Sequence, residues 1–144
     1  MVSLRKGLRR RSFSFIYHCL RPLSKQSDCC IPGGDDSVGG PNTFRTNIQS
    51  CLERQGISVV TDPIGRYRSL LVIQYYDYVK LRAIRRSGVR IVQRLDGLAY
   101  PEWAGDGWRA MNEPVREVYE KLADAVVFQS EYSARQADEF LGPR

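Results

Sequence analysis

From residue 27 onward, short unbroken apolar runs alternate with stretches whose apolar residues recur at helical spacing. The runs lie at 57–61, 70–74, 89–93 and 125–129, with a shorter and less regular one at 29–32. Between the first two, Phe44, Ile48, Cys51 and Leu52 stand at i, i+4, i+7 and i+8. That is one stripe of a helix beginning near Asn42 and stopping at Gly56. A second helix is expected over 77–87, with Val79, Ala83 and Ile84 inward and Gly88 closing it. After a loop containing Trp103 and Trp108, Asn112 can cap a third, turning Val115, Val118, Tyr119 and Leu122 inward. Ser130 caps a last helix that ends at Leu141 before Gly142.

Strands that read as continuous apolar runs are buried on both faces. Interleaved with helices, they imply parallel pairing through crossovers. The expected fold is therefore α/β, a doubly wound, Rossmann-like parallel sheet over residues 27–144, preceded by a basic extension over 1–26. With 144 residues the chain has room for one such domain.

Charge separates these two parts. The chain carries 22 basic and 16 acidic residues, a net charge of +6. Seven of the basic ones (Arg5, Lys6, Arg9, Arg10, Arg11, Arg21, Lys25) fall within residues 1–25, which hold no acid. The remainder is 15 against 16, a net of −1, so the body lacks the basic balance of a nucleic-acid-binding domain and no nucleic-acid partner is expected. The leader, rich in arginine and serine, has the composition of an organelle transit peptide. It equally suits a cationic arm that touches anionic lipid, or a plain extension. The uncharged stretches at 12–20 and 69–76 are too short to cross a bilayer as helices. A cytoplasmic location is expected, with peripheral membrane contact through residues 1–25 or organelle targeting as alternatives.

Four cysteines (19, 29, 30, 51) without paired spacing, and one histidine, His18, in the leader, give no zinc-finger pattern and no histidine base in the body. Chemistry must come from elsewhere. In open α/β sheets ligands lie beyond the carboxyl ends of the strands. Four segments of this sequence fall there: the glycine-rich 33–40, Tyr75-Tyr76-Asp77, Arg94-Leu95-Asp96-Gly97 and Gln129-Ser130-Glu131. Gly39 and Gly40 precede a helix start, where free N–H groups, with those of Asn42 and Thr43, favour an anion. A flexible turn is the alternative, since neither G-x-G-x-x-G nor G-x-x-x-x-G-K-[ST] occurs. Asp96, at a strand's end, can accept a proton or hold a hydroxyl, or simply cap the turn before Gly97. Arg94 can pair with Asp96 or with a phosphate. Tyr100, Trp103 and Trp108 can face a sugar or anchor their loop.

Three segments together carry a family likeness. GGPNTFRTNIQSCLERQGISV (39–59), RIVQRLDGLAYPEWAG (90–105) and NEPVREVYEKLADAVVFQSEYSARQADEFLG (112–142) resemble the N-terminal half of retaining glycosyltransferases of the GT-B fold, family 4, the group 1 type. The resemblance implies hexosyl transfer from a nucleotide sugar to an acceptor hydroxyl, this chain supplying the acceptor-side domain. It implies a catalytic Asp96 and substrate binding by Gly39, Gly40, Arg94, Ser130 and Glu131, to which the helix-start amides of Asn42 and Thr43 are added as expected donors. It implies no metal and no cofactor beyond the sugar donor. The substrates would be a nucleotide sugar and a glycan or small-molecule acceptor. The sequence given reaches Arg144 without the family's donor-binding domain, so transfer is expected to need either a donor-binding partner chain or a longer parent of which this is a piece. The alternative is a truncated, non-catalytic sugar- or phosphate-binding module.

Overall fold

A computed structural model describes residues 26–33, 40–74 and 76–144. The leader, residues 34–39 (Gly39 among them) and Tyr75 lie outside the described residues. The elements run β1 (Gln26–Cys30), α1 (Gly40–Arg54), β2 (Val59–Val60), β3 (Arg66–Ile73), α2 (Tyr78–Arg86), β4 (Arg90–Leu95), the short α3 (Pro101–Ala104), a 3-10 turn (Gly105–Gly107), α4 (Trp108–Lys121), β5 (Ala125–Phe128) and α5 (Glu131–Phe140). All strand pairs are parallel, in the order β2–β1–β3–β4–β5. The expected α/β sheet is present.

Helices cover both faces, and adjacent residues of β4 demonstrate it. Gln93 donates to the Val115 carbonyl of α4 at 3.1 Å, whereas the Arg94 guanidinium stacks over the Phe44 ring of α1 at 4.1 Å. Successive strand residues point to opposite faces, so α1 and α4 flank the sheet from opposite sides. The α2/α4 side holds the main core: Leu70 and Val72 of β3, Leu81 and Ile84 of α2, Ile91 of β4 and Val118 of α4, each at most 2% exposed. A second cluster joins Leu95 and Leu98 to Val115 and Tyr119 of α4 and to Ala137 and Leu141 at α5. Burying each such aliphatic side chain contributes about 1.5–3 kcal/mol.

Three local departures have physical causes. The first strand begins at Gln26, not near Cys29. Only Cys29 and Cys30 of β1 pair with β2, which leaves the polar start of the strand flanked by β3 alone. There the Asp28 carboxylate accepts from the Ser58 amide (3.0 Å) and hydroxyl (2.8 Å), doing with a side chain what a ladder would do. The third strand likewise starts four residues before the apolar run, at Arg66. Tyr67 is buried there while Arg68 turns to solvent, and the Tyr67 hydroxyl donates to the Pro63 carbonyl at 2.8 Å. Residues 61–65 pass from β2 to β3 without a helix, which the two-residue length of β2 permits.

In α2, Asp77 caps the helix by accepting from the Val79 and Lys80 amides. Ala83 and Ile84 are buried as expected, but Val79 is 37% exposed and Leu81 takes the inward position. Two residues are about 200° around a helix, so both cannot share one face. Asn112 is not a cap either. It lies inside α4, 2% exposed, accepting from the Ala99 amide (2.9 Å) and donating to the Ala99 carbonyl (2.8 Å). The helix continues upstream to Trp108, whose ring meets Phe140 edge-on at 5.2 Å. The stretch expected as a loop is thus mostly helical.

Candidate functional site

The strand order reverses at β1, between β2 and β3, the kind of switch point at which α/β sheets take ligands beyond their carboxyl ends. At that edge the ends of β3, β4 and β5 are joined by one polar cluster, and the buried Arg94 is its hub. It is 4% exposed on the α1 side of β4. Its Nη1 donates to Asp96 Oδ2 at 2.7 Å, and its Nη2 donates to Gln129 Oε1 at 2.5 Å. The Phe44 ring of α1 lies against its flat face. A charge so deeply placed requires this pairing, because an unpaired buried cation costs several kcal/mol.

Asp96 follows β4, with one-fifth of its side chain exposed. Its other oxygen, Oδ1, accepts from Gln74 Nε2, which also donates to the Gly97 carbonyl at 3.1 Å. Gln74 follows β3 with a left-handed backbone, φ 63°, alone among the non-glycine residues described. Such a conformation costs about 1–2 kcal/mol and persists where surrounding bonds fix it. Those bonds are present: the Gln74 amide donates to the Arg94 carbonyl at 2.9 Å, and its carbonyl accepts from Gln93 Nε2 at 2.7 Å. The Oε1 atoms of Gln74 and Gln93 are both buried without a hydrogen-bond partner. One orphan acceptor thus follows β3 and the other lies within β4.

The remaining expected site residues differ in placement. Gly40 opens α1, exposed, and a side chain added there would meet nothing within 4 Å. Asn42 Oδ1 accepts from Arg45 Nη1, and Thr43 is exposed on the first turn. Ser130 adjoins Gln129 but spends its hydroxyl on capping: Oγ accepts from the Ser133 amide at 3.2 Å, while the Ser130 amide donates to Ser133 Oγ at 3.1 Å. Glu131 is 96% exposed and faces Arg135 at 3.9 Å, outside the cluster. Near β3, burial raises the Tyr76 phenol above its usual range, keeping it a proton donor. A surface depression lined by Asn47, Ser50, Glu53 and Arg54 lies on the later turns of α1, apart from these groups.

Among the described residues no cluster of three or more histidine, cysteine, aspartate or glutamate side chains could hold a metal ion, and no helix is long and apolar enough to cross a membrane. Comparison with protein-family models, curated proteins and solved structures returned no match to this chain.

Sequence reasoning placed Arg94 and Asp96 at a strand end and they are together. It missed Gln74 and Phe44. Gln74 reads as the tail of an apolar run, and its polarity at that point was the available signal. Phe44 reads as core, and nothing in the pattern distinguishes a ring that packs on aliphatic groups from one that supports a guanidinium.

Proposed function

We propose that this chain is the acceptor-side domain of a retaining glycosyltransferase, working with a donor-binding domain or chain that lies outside these residues. The single observation that supports this most is the Arg94–Asp96 pair at the carboxyl edge, held from beneath by Gln129, Phe44 and Gln74. It falls within the second of the three segments that resemble the glycosyltransferases. In this reading the partly exposed Asp96 carboxylate accepts a hydrogen bond from the acceptor hydroxyl, and Arg94 keeps that carboxylate aimed. The amides at the start of α1 meet donor phosphate. The hexosyl C1–O bond to phosphate breaks, a C1–O bond to the acceptor forms, and the hydroxyl proton leaves on the departing phosphate. Holding both substrates in orientation supplies most of the rate, so one wall of the cleft alone turns over poorly.

A binding module without chemistry is the second reading, favoured by the engagement of both Asp96 oxygens, with Arg94 and with Gln74. The test is transfer from a panel of uridine and guanosine diphosphate sugars to glycan and polyol acceptors, with the full chain alone and with a supplied donor-binding domain. Transfer only in the second format, falling on the order of 100-fold in Asp96→Asn, supports the enzyme. Acceptor binding without transfer selects the module. Neither binding nor transfer overturns both.

A further inference from the structure

Among the described residues the exposed aromatic side chains are Trp103, 64% exposed, and Tyr132, 56%. They belong to different elements, α3 and α5, but both follow the carboxyl ends of neighbouring strands. β4 and β5 stay paired to their last residues, Leu95 with Phe128, so the segments that carry the two rings leave the same edge next to each other. Asp96 stands at the root of the first segment and Gln129 at the root of the second, and both accept from Arg94.

Each ring is held in place. Asn112 clamps Ala99, Pro101 opens α3, Gly105 ends it at φ 54°, and the Tyr100 ring stands 6.3 Å from that of Trp103. Gln136, buried at 6% exposure, ties Tyr132 to the other segment: its Oε1 accepts from the Leu98 amide at 3.4 Å and its Nε2 donates to the Tyr132 hydroxyl at 3.0 Å. That bond uses the tyrosine oxygen as acceptor and leaves the phenol proton to donate. The two tryptophans therefore divide the roles open to them. Trp108 anchors its helix, edge-on to Phe140 and under the Arg109 guanidinium at 4.5 Å, whereas Trp103 keeps most of its surface in solvent. A single exposed ring is ordinary. Two rings fixed at the ends of adjacent strands, beside a partly exposed carboxylate, have the composition of a ligand-binding wall.

We propose that Trp103 and Tyr132 form the acceptor subsite and take the pyranose ring of a glycoside, an inference that rests on the transfer reading for the word acceptor alone. A pyranose offers a flat face of C–H groups, which packs on an aromatic ring, and a rim of hydroxyls, which needs polar partners. Asp96 supplies an acceptor for that rim and the Tyr132 hydroxyl a donor. A linear polyol lacks the flat face, and a phosphate makes no use of the rings. The acceptor is thereby narrowed from a glycan or small molecule to a pyranoside glycan.

The test is titration of the full chain with maltotetraose, cellotetraose and sorbitol. In a Trp108→Phe variant, whose sole tryptophan is Trp103, one of the tetrasaccharides should change the fluorescence saturably and shield it from acrylamide, and sorbitol should do neither. By calorimetry Trp103→Leu and Tyr132→Ala should each weaken glycoside binding about 10-fold, and Trp103→Phe, which keeps a flat ring, should restore most of the loss. Both positions are exposed, so thermal midpoints should match the parent's. No saturable binding of either tetrasaccharide, equal binding by Trp103→Leu and parent, or equal binding of sorbitol overturns the subsite. Trp103-dependent glycoside binding without transfer when a donor-binding domain is supplied keeps the sugar platform and removes the transferase reading. Transfer to a glycoside whose KM is unchanged in Trp103→Leu does the reverse.

Discussion

Arg94 Nη1 lies 2.7 Å from Asp96 Oδ2, with the arginine side chain 5% exposed and the aspartate 21%. The asymmetry matters: the cation is sealed between the sheet and α1, whereas its carboxylate partner reaches solvent. Removing the carboxylate strands a buried charge. Asp96→Ala should therefore cost about 3 kcal/mol, the lower end for a broken buried pair because Asp96 is partly wet. Urea unfolding would show it as a lower midpoint at constant m; a loss under 1 kcal/mol would mean that Arg94 does not depend on Asp96.

Asn112 fixes the segment that follows the site. Its amide exchanges two hydrogen bonds with Ala99, and replacing it by Ala leaves a buried N–H and a buried carbonyl unpaired. Asn112→Ala should cost about 2–4 kcal/mol and raise hydrogen exchange at the Ala99 amide. Unchanged protection there would assign the packing of residues 98–100 to other contacts.

Gln74 combines strain with bonding, and two substitutions separate them. Both Gln74→Ala and Gln74→Gly lose the bonds to Asp96 and Gly97, but only glycine relieves φ 63°. The glycine variant should be the more stable of the two by about 1 kcal/mol. Equal stabilities would show the backbone to be unstrained.

Burial pushes the Cys30 thiol from 9.0 up to about 12. The folded chain then holds its proton where the unfolded chain has lost it. Stability is full below pH 9 and falls as pH rises from about 9 toward 12. Urea midpoints measured across that range should decline, and Cys30→Ala should flatten the part of the decline that this thiol causes. Burial raises Tyr76 as well, so some slope will remain.

The sheet was most legible at 70–73, where Leu70, Leu71, Val72 and Ile73 form an unbroken run in a strand flanked on both sides, and 125–128 was as legible although β5 is an edge strand with Val127 half exposed. It was least legible in β1 and at the start of β3. There the strands are incompletely flanked, and Asp28 or Arg68 can sit in them at no cost in burial. Asn112 misled for a related reason: cap residues and satisfied buried amides are the same residue types, and only the Ala99 backbone distinguishes the roles. At the site, proximity in sequence revealed Arg94 and Asp96. Gln74, Gln129 and Phe44 reach them from other elements, and only the parallel register brings those elements level.

The central claim is that sugar binds at the carboxyl edge of the sheet. Titrating the isotopically labelled full chain with a uridine diphosphate hexose, and separately with free hexoses, while following backbone amide resonances, addresses it most directly. Shifts that saturate at Gly40, Thr43, Gln74, Asp96, Gly97 and Gln129, and that vanish in Asp96→Asn, are expected. Saturable shifts confined to other surfaces, or none at millimolar ligand, would leave this edge without the role assigned to it.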